Sequence, residues 1–144
     1  RKNPNDTFVK DFPERVILLS DTLEAPTLDN LWNYHRHFLD NIAPSMHEQF
    51  AFEDSAGIYT ENEKSQMFAV CSRWAENSAL KILPAGKYLC VDCTEEDREV
   101  RLQELLHAAK ERYQINPDFS VQMIVISGVL KWKYQLQIPI EPAY

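Results

Sequence analysis

The chain has 144 residues, 44% of them hydrophobic and 11% aromatic, enough to bury one core and too few for two. Its 22 acidic residues outnumber 15 lysines and arginines, giving a formal net charge of -7. No basic stripe accompanies that excess, which argues against binding DNA or an anionic membrane through this segment. No apolar run approaches the roughly 18 residues of a spanning helix and no signal-peptide pattern opens the chain, so a soluble, cytoplasmic protein is expected. The polar lead "RKNPNDTFVKDFPE", beginning at Arg1, reads as the start of a piece of a longer polypeptide.

In chain order, "ERVILLSD" (14–21) reads as a strand. Thr27, after Pro26, is placed to cap a helix whose apolar or amphipathic residues Leu28, Leu31, Trp32, His35, Phe38, Leu39 and Ile42 recur at three-and-four spacing, until "AP" at 43–44 stops it. A loop follows. "AGIYT" (56–60) and "MFAVCSRW" (67–74) read as strands joined by "ENEKSQ". After the turn signal "PAG", "GKYLCVDC" (86–93) is a further strand. Thr94 with Asp97 then opens a second helix with the buried stripe Leu102, Leu105, Leu106, Ala109 and Tyr113. Its acids lie in the first turn and Lys110 and Arg112 in the last, which suits the helix dipole. "INPDF" ends it, and "SVQMIVIS" and "WKYQLQIPI" close the chain around Gly128. All three glycines, Gly57, Gly86 and Gly128, fall at predicted turns.

Strand, helix, strand, strand therefore occurs twice, over about 12–76 and 82–141. The expected fold is a single α+β domain over 1–144, built from duplicated β-α-β-β units that form a curved antiparallel sheet with helices on one side. A cleft between the halves is the natural ligand site.

Little in the sequence points to metal or covalent chemistry. Cys71, Cys90 and Cys93 are an odd set for disulfides, and "CVDC" on a strand sends its two thiols to opposite faces with no second pair to complete a metal site. Three buried thiols are expected. His35 and His37 are two apart on a helix and so diverge, while His47 and His107 stand alone. There is no Ser-His-Asp spacing, HExxH or phosphate-binding glycine loop. No enzyme activity, cofactor or metal is expected.

"VKDFPERVILLS", "AGIYTENEKSQMFAVCSRW", "ILPAGKYLCV" and "KYQLQIPI" together, in that order, resemble the GyrI-like effector-binding domain found at the carboxyl end of multidrug-sensing MerR-family transcription regulators. The resemblance covers about 130 residues. It implies an aromatic-rich pocket for a small lipophilic, often cationic, ligand, with DNA contacted only through a separate domain absent from this chain and homodimerisation through segments that are also missing. Members of the family often carry a glutamate in the closing strand that faces the bound cation. Gln135 stands at the matching place, which removes roughly 4 kcal/mol of gross attraction at 4 Å and an effective dielectric near 20.

The ligand-binding residues expected on these grounds are Gln135, Tyr59, Phe68, Tyr88, Trp132, Tyr134, Trp32, Phe38 and Asp92. Asp92 shares a strand face with Tyr88, and Glu24 and Asp54 are other acids that could replace the missing charge. On pattern alone, Trp32 and Phe38 belong equally to the helix's core stripe, and Gln135 to a solvent-facing row with Lys133 and Gln137. The functional expectation is the small-molecule effector domain of a MerR-family-like transcriptional regulator. The alternatives are a stand-alone GyrI-like drug-binding protein or hydrolase, and a module that takes a peptide or protein partner in its cleft.

Overall fold

The computed structural model describes residues 7–19, 44–126 and 132–142, without the side chains of Met46, His47, Asp54, Ser55, Val125, Ile126 and Trp132. The helix expected from Thr27, which carries Trp32 and Phe38, lies outside the described residues, as do Glu24 and Gly128.

Eight strands build one sheet among the described residues: β1 (Phe8–Phe12), β2 (Arg15–Leu19), β3 (Ala51–Glu61), β4 (Lys64–Arg73), β5 (Leu80–Leu83), β6 (Gly86–Thr94), β7 (Phe119–Ile126) and β8 (Trp132–Pro142). A helix, α1 (Arg98–Tyr113), connects β6 to β7, and a 3-10 turn over Pro44–Gln49 leads into β3. The spatial order is β1-β6-β8-β7-β3-β4-β2-β5, and every neighbouring pair is antiparallel. The second half is thus a β-α-β-β unit, joined to the first through the β3–β7 ladder. The architecture is the α+β GyrI-like fold.

Connectivity forces this sheet to curl. β1 and β2 stand six strand spacings apart in the order, roughly 29 Å if the sheet were flat. Only Pro13 and Glu14 join Phe12 to Arg15, a reach of at most about 11 Å. β5 and β6 are separated by the same six spacings and joined only by Pro84 and Ala85. Both connectors can be made only if the sheet bends until its two ends meet. Pro13 and Pro84 occupy equivalent corners, where a residue without an N–H donor costs no ladder hydrogen bond.

The sequence pattern misses this corner. The strand expected over 14–21 is preceded by a separate edge strand, β1, and β5 is not anticipated at all, because both are defined by pairing with the opposite half. β3 and β4 are longer than expected and meet in a two-residue hairpin turn, Asn62 and Glu63, with φ of 52° and 64°. Gly57 lies inside β3 instead of at a turn. A Cβ there would sit 2.9 Å from the Phe68 ring and nearer still to the Gln122 carbonyl oxygen, so only glycine lets β3 approach β7 this closely.

The outer face carries the larger core. Leu89, Val91 and Cys93 of β6 and Tyr134, Leu136 and Ile138 of β8 are covered by Leu105 and Ala109 of α1, with Leu102 and Leu106 at the margin. Tyr113, expected in this stripe, is 40% exposed. Just before α1, Asp97 accepts from the Thr94 N–H at 2.7 Å and from the Thr94 hydroxyl at 3.0 Å, and those bonds hold its carboxyl below the ordinary range. Gln114 ends the helix in the left-handed region, its N–H donating to the Lys110 carbonyl at 3.0 Å and that of Ile115 to Ala109 at 3.3 Å.

Candidate ligand-binding site

Strand alternation sends every second residue to the inner face of the curl. There Ile17, Tyr59, Phe68, Val70, Leu83 and Val121 form a separate buried cluster, flanked by Phe119 and Met123. Contacts between strands far apart in the order identify this face as the concave one. Lys81 of β5 bonds Glu61 of β3 at 3.2 Å, and Arg15 of β2 bonds Gln137 of β8 at 2.8 Å.

Four rings cross the concave face in a row. Phe12 meets Tyr88 edge to face at 5.4 Å, Tyr88 is 6.5 Å from Phe119, and Phe119 stacks on Tyr59 at 5.4 Å. Each distance lies in the range where aromatic pairs attract. The row therefore spans β1, β6, β7 and β3, drawing on both halves. Tyr88 donates to the Pro84 carbonyl at 2.7 Å, and Tyr59 to Glu61 at 2.9 Å. Burial raises the pKa of both phenols; the Glu61 hydrogen bond reinforces this for Tyr59, whereas Arg15 opposes it for Tyr88.

A polar line runs beside the rings. The Arg15 guanidinium lies 4.1 Å from the Phe12 ring centre and 5.1 Å from that of Tyr88, and Nη1 donates to Gln137 Oε1. Gln137 Nε2 donates to Gln135 Oε1 at 2.9 Å, and Gln135 Nε2 reaches Asp92 Oδ1 at 3.5 Å. Exposure falls along β8 from Lys133 at the surface, through half-buried Gln135, to Gln137 at 2%. The amide row of the closing strand thus runs from solvent into the interior. Burial lowers the Arg15 pKa. Cys90, beside the same line, has its thiol pushed up to about 12 by burial.

A cavity of about 290 Å³ opens next to this face, with Tyr88 and Phe119 on its wall together with Pro84, Pro117 and Pro139. Its lining comes wholly from the second half, whereas the aromatic row is shared between halves.

Of the residues expected from sequence, Tyr59, Phe68, Tyr88, Gln135 and Asp92 come together on the concave face. Tyr134 does not. As the direct neighbour of Gln135 on a strand it points the opposite way, into the core under α1, with the Arg98 guanidinium 4.8 Å from its ring. The side chain of Trp132, all of Trp32 and Phe38, and the side chain of Asp54 lie outside the described residues. Trp74 is 49% exposed. Sequence reasoning missed Arg15, Gln137, Phe12 and Phe119. For Gln137 the signal was present, since it shares the face of Gln135 one step deeper. Arg15 carried only its position behind Phe12 and Pro13.

The curled antiparallel sheet with its packed helix defines a class, the GyrI-like fold. Among solved structures, the chain is similar to a chain in the cryo-EM structure of an EcmrR–DNA complex in EcmrR-RPo, with TM-score 0.60 and 11% identity over 97% of this chain and 59% of that one. It is also similar to SAV2435 bound to tetraphenylphosphonium, with TM-score 0.54 and 8% identity over 94% of this chain and 93% of that one. The chain thus spans about three fifths of the length of the first and nearly all of the second. Neither a protein-family model nor a curated protein matches the sequence.

Proposed function

We propose that this chain is a ligand-sensing module that binds a small lipophilic molecule on its concave face and reports it to a partner domain that reads DNA. The observation that carries this reading is the row Phe12, Tyr88, Phe119 and Tyr59, held on both halves and accompanied by a polar line that runs from the surface in to buried Gln137. Supporting it, one protein of the same fold is bound to tetraphenylphosphonium and another forms a DNA complex. A ligand that prefers one closure of the curl over another shifts the protein between states by that difference in affinity, which is all a sensor requires.

Binding without turnover is part of the proposal. The thiol on this face is held protonated by burial, which removes it as a nucleophile near neutral pH. The test is a thermal-shift panel of lipophilic anions, neutral compounds and cations, repeated on Tyr88→Ala. At least one class should raise Tm with a concentration dependence that the variant loses. A panel with no binder, or binding indifferent to Tyr88, refutes the reading. Turnover of a bound compound would instead favour the stand-alone hydrolase.

A further inference from the structure

The charge at the bottom of the concave face is positive. Arg15 uses Nη1 on Gln137 and feels the Tyr88 phenol, whose hydroxyl donates to the Pro84 carbonyl, yet its Nε and Nη2 are buried and make no hydrogen bond of good geometry. Among the described residues no carboxylate pairs with it. Leaving charged donors buried and unmet is costly, and native structures rarely do so without a ligand, ion or water to meet them. The two free atoms are not an arbitrary pair. Nε–H and Nη2–H project in parallel from one edge of the planar guanidinium, the fork that matches the two oxygens of a carboxylate.

We infer that the concave face takes an organic monoanion, a carboxylate on an aromatic or aliphatic body, with Arg15 as its anchor and Gln137 holding the guanidinium in orientation. This rests on the sensor reading above and specifies its ligand. Of the acids near this face, Asp92 is exposed and, among the described residues, reached by Gln135, Glu61 is engaged by Tyr59 and Lys81, and Asp118 and Glu141 share the cavity wall with Lys87. One half-buried guanidinium with two buried donors balances one negative charge. The rings of Phe12 and Tyr88 beside it offer the rest of the ligand apolar surface, and Tyr88 and Phe119 also stand on the wall of the 290 Å³ cavity. A phosphate monoester would bring a second charge without a second buried partner.

The test is calorimetric titration at fixed ionic strength with four probes sharing one body: 2-naphthoate, 2-naphthamide, 2-naphthylmethylammonium and 2-naphthyl phosphate. The wild type should bind the carboxylate about 10- to 100-fold more tightly than the amide, as a charge-assisted bidentate pair requires. Arg15→Gln should erase that preference, with the larger loss falling on the carboxylate. Arg15→Lys keeps the charge without the fork and should lose about tenfold or more for the carboxylate. Equal binding of carboxylate and amide, or a preference for the ammonium or the phosphate, overturns the inference and leaves the sensor reading standing. No binding by any probe, with no binder in the wider thermal-shift panel, ends both. The wild-type series decides even if a variant fails to fold.

Discussion

Gly57→Ala tests the seam between the halves. β3 and β7 form the central ladder between the halves, which the β1–β6 and β2–β5 ladders join at their ends, and Gly57 pairs with Met123 across it and with Phe68 on the other side. An added methyl meets the Phe68 ring at 2.9 Å and the Gln122 carbonyl closer than that. The ring can rotate away; the carbonyl belongs to the ladder and cannot move without opening it. Separating the strands near Gly57 weakens about two ladder hydrogen bonds, each contributing about 1 kcal/mol, and overpacking adds about 1 to 2 kcal/mol. The expected loss is about 2 to 4 kcal/mol, a large share of the 5 to 15 kcal/mol typical of a domain. Urea titration should show a lower midpoint with m nearly unchanged. Gly57→Ala/Phe68→Leu should not recover the loss, because the backbone contact remains. A single-variant loss below about 0.5 kcal/mol, or full recovery in the double variant, would refute the argument that the carbonyl sets the limit.

Three further outcomes are expected. Glu63→Gly should stabilise by about 0.5 to 1 kcal/mol in urea titration, since Asn62 and Glu63 both hold positive φ and Asn-Gly is the favoured pair for such a turn. Asp97→Ala should cost about 1 kcal/mol by removing the acceptor for Thr94. The folded carboxyl is more acidic than in the unfolded chain, so that contribution is complete above the unfolded value near 3.8 and lost as pH falls below it; the variant's deficit should shrink there. Burial raises the Cys90 and Cys93 thiols from about 9 to about 12, so the folded state keeps protons that the unfolded chain releases. Stability should be unaffected below pH 9 and decline above it, and Cys93→Ala should make that decline shallower in denaturation at a series of pH values.

How far the sequence alone reveals this fold depends on whether an element's cause is local. Leu102, Leu105, Leu106 and Ala109 mark α1 because helix periodicity is written within one turn of the chain, and Thr94 with Asp97 mark its start for the same reason. β1 and β5 are hidden because their reason for being strands lies in the other half: Lys10 stands opposite Tyr88, and Ile17 opposite Lys81. The site divides in the same way. Tyr59, Phe68 and Tyr88 are visible as rings on strands, and parity alone would have excluded Tyr134 once Gln135 was placed inside. Nothing local distinguishes Arg15 from a solvent-facing arginine at a strand's start. Its burial is created by the curl, which carries the first residue of β2 across to the β6 and β8 side of the sheet.

That displacement ties ligand binding to closure. Arg15 follows the Pro13–Glu14 corner, and its partners Tyr88 and Gln137 come from the other half, so the donors, the rings and the amide converge only when both two-residue corners are made. A ligand seated on them binds the closed sheet and not an opened one. It must therefore stabilise the ladders at the corners by the same free energy with which those ladders help to bind it. Amide exchange can read this directly. Protection at β1 and β5, the two edge strands, should rise with ligand by RT ln(1 + [L]/Kd), while the interior of α1, already packed on the outer core, should change less. Equal slowing throughout the chain would mean that the ligand stabilises the fold globally and that the corners have no special part in sensing.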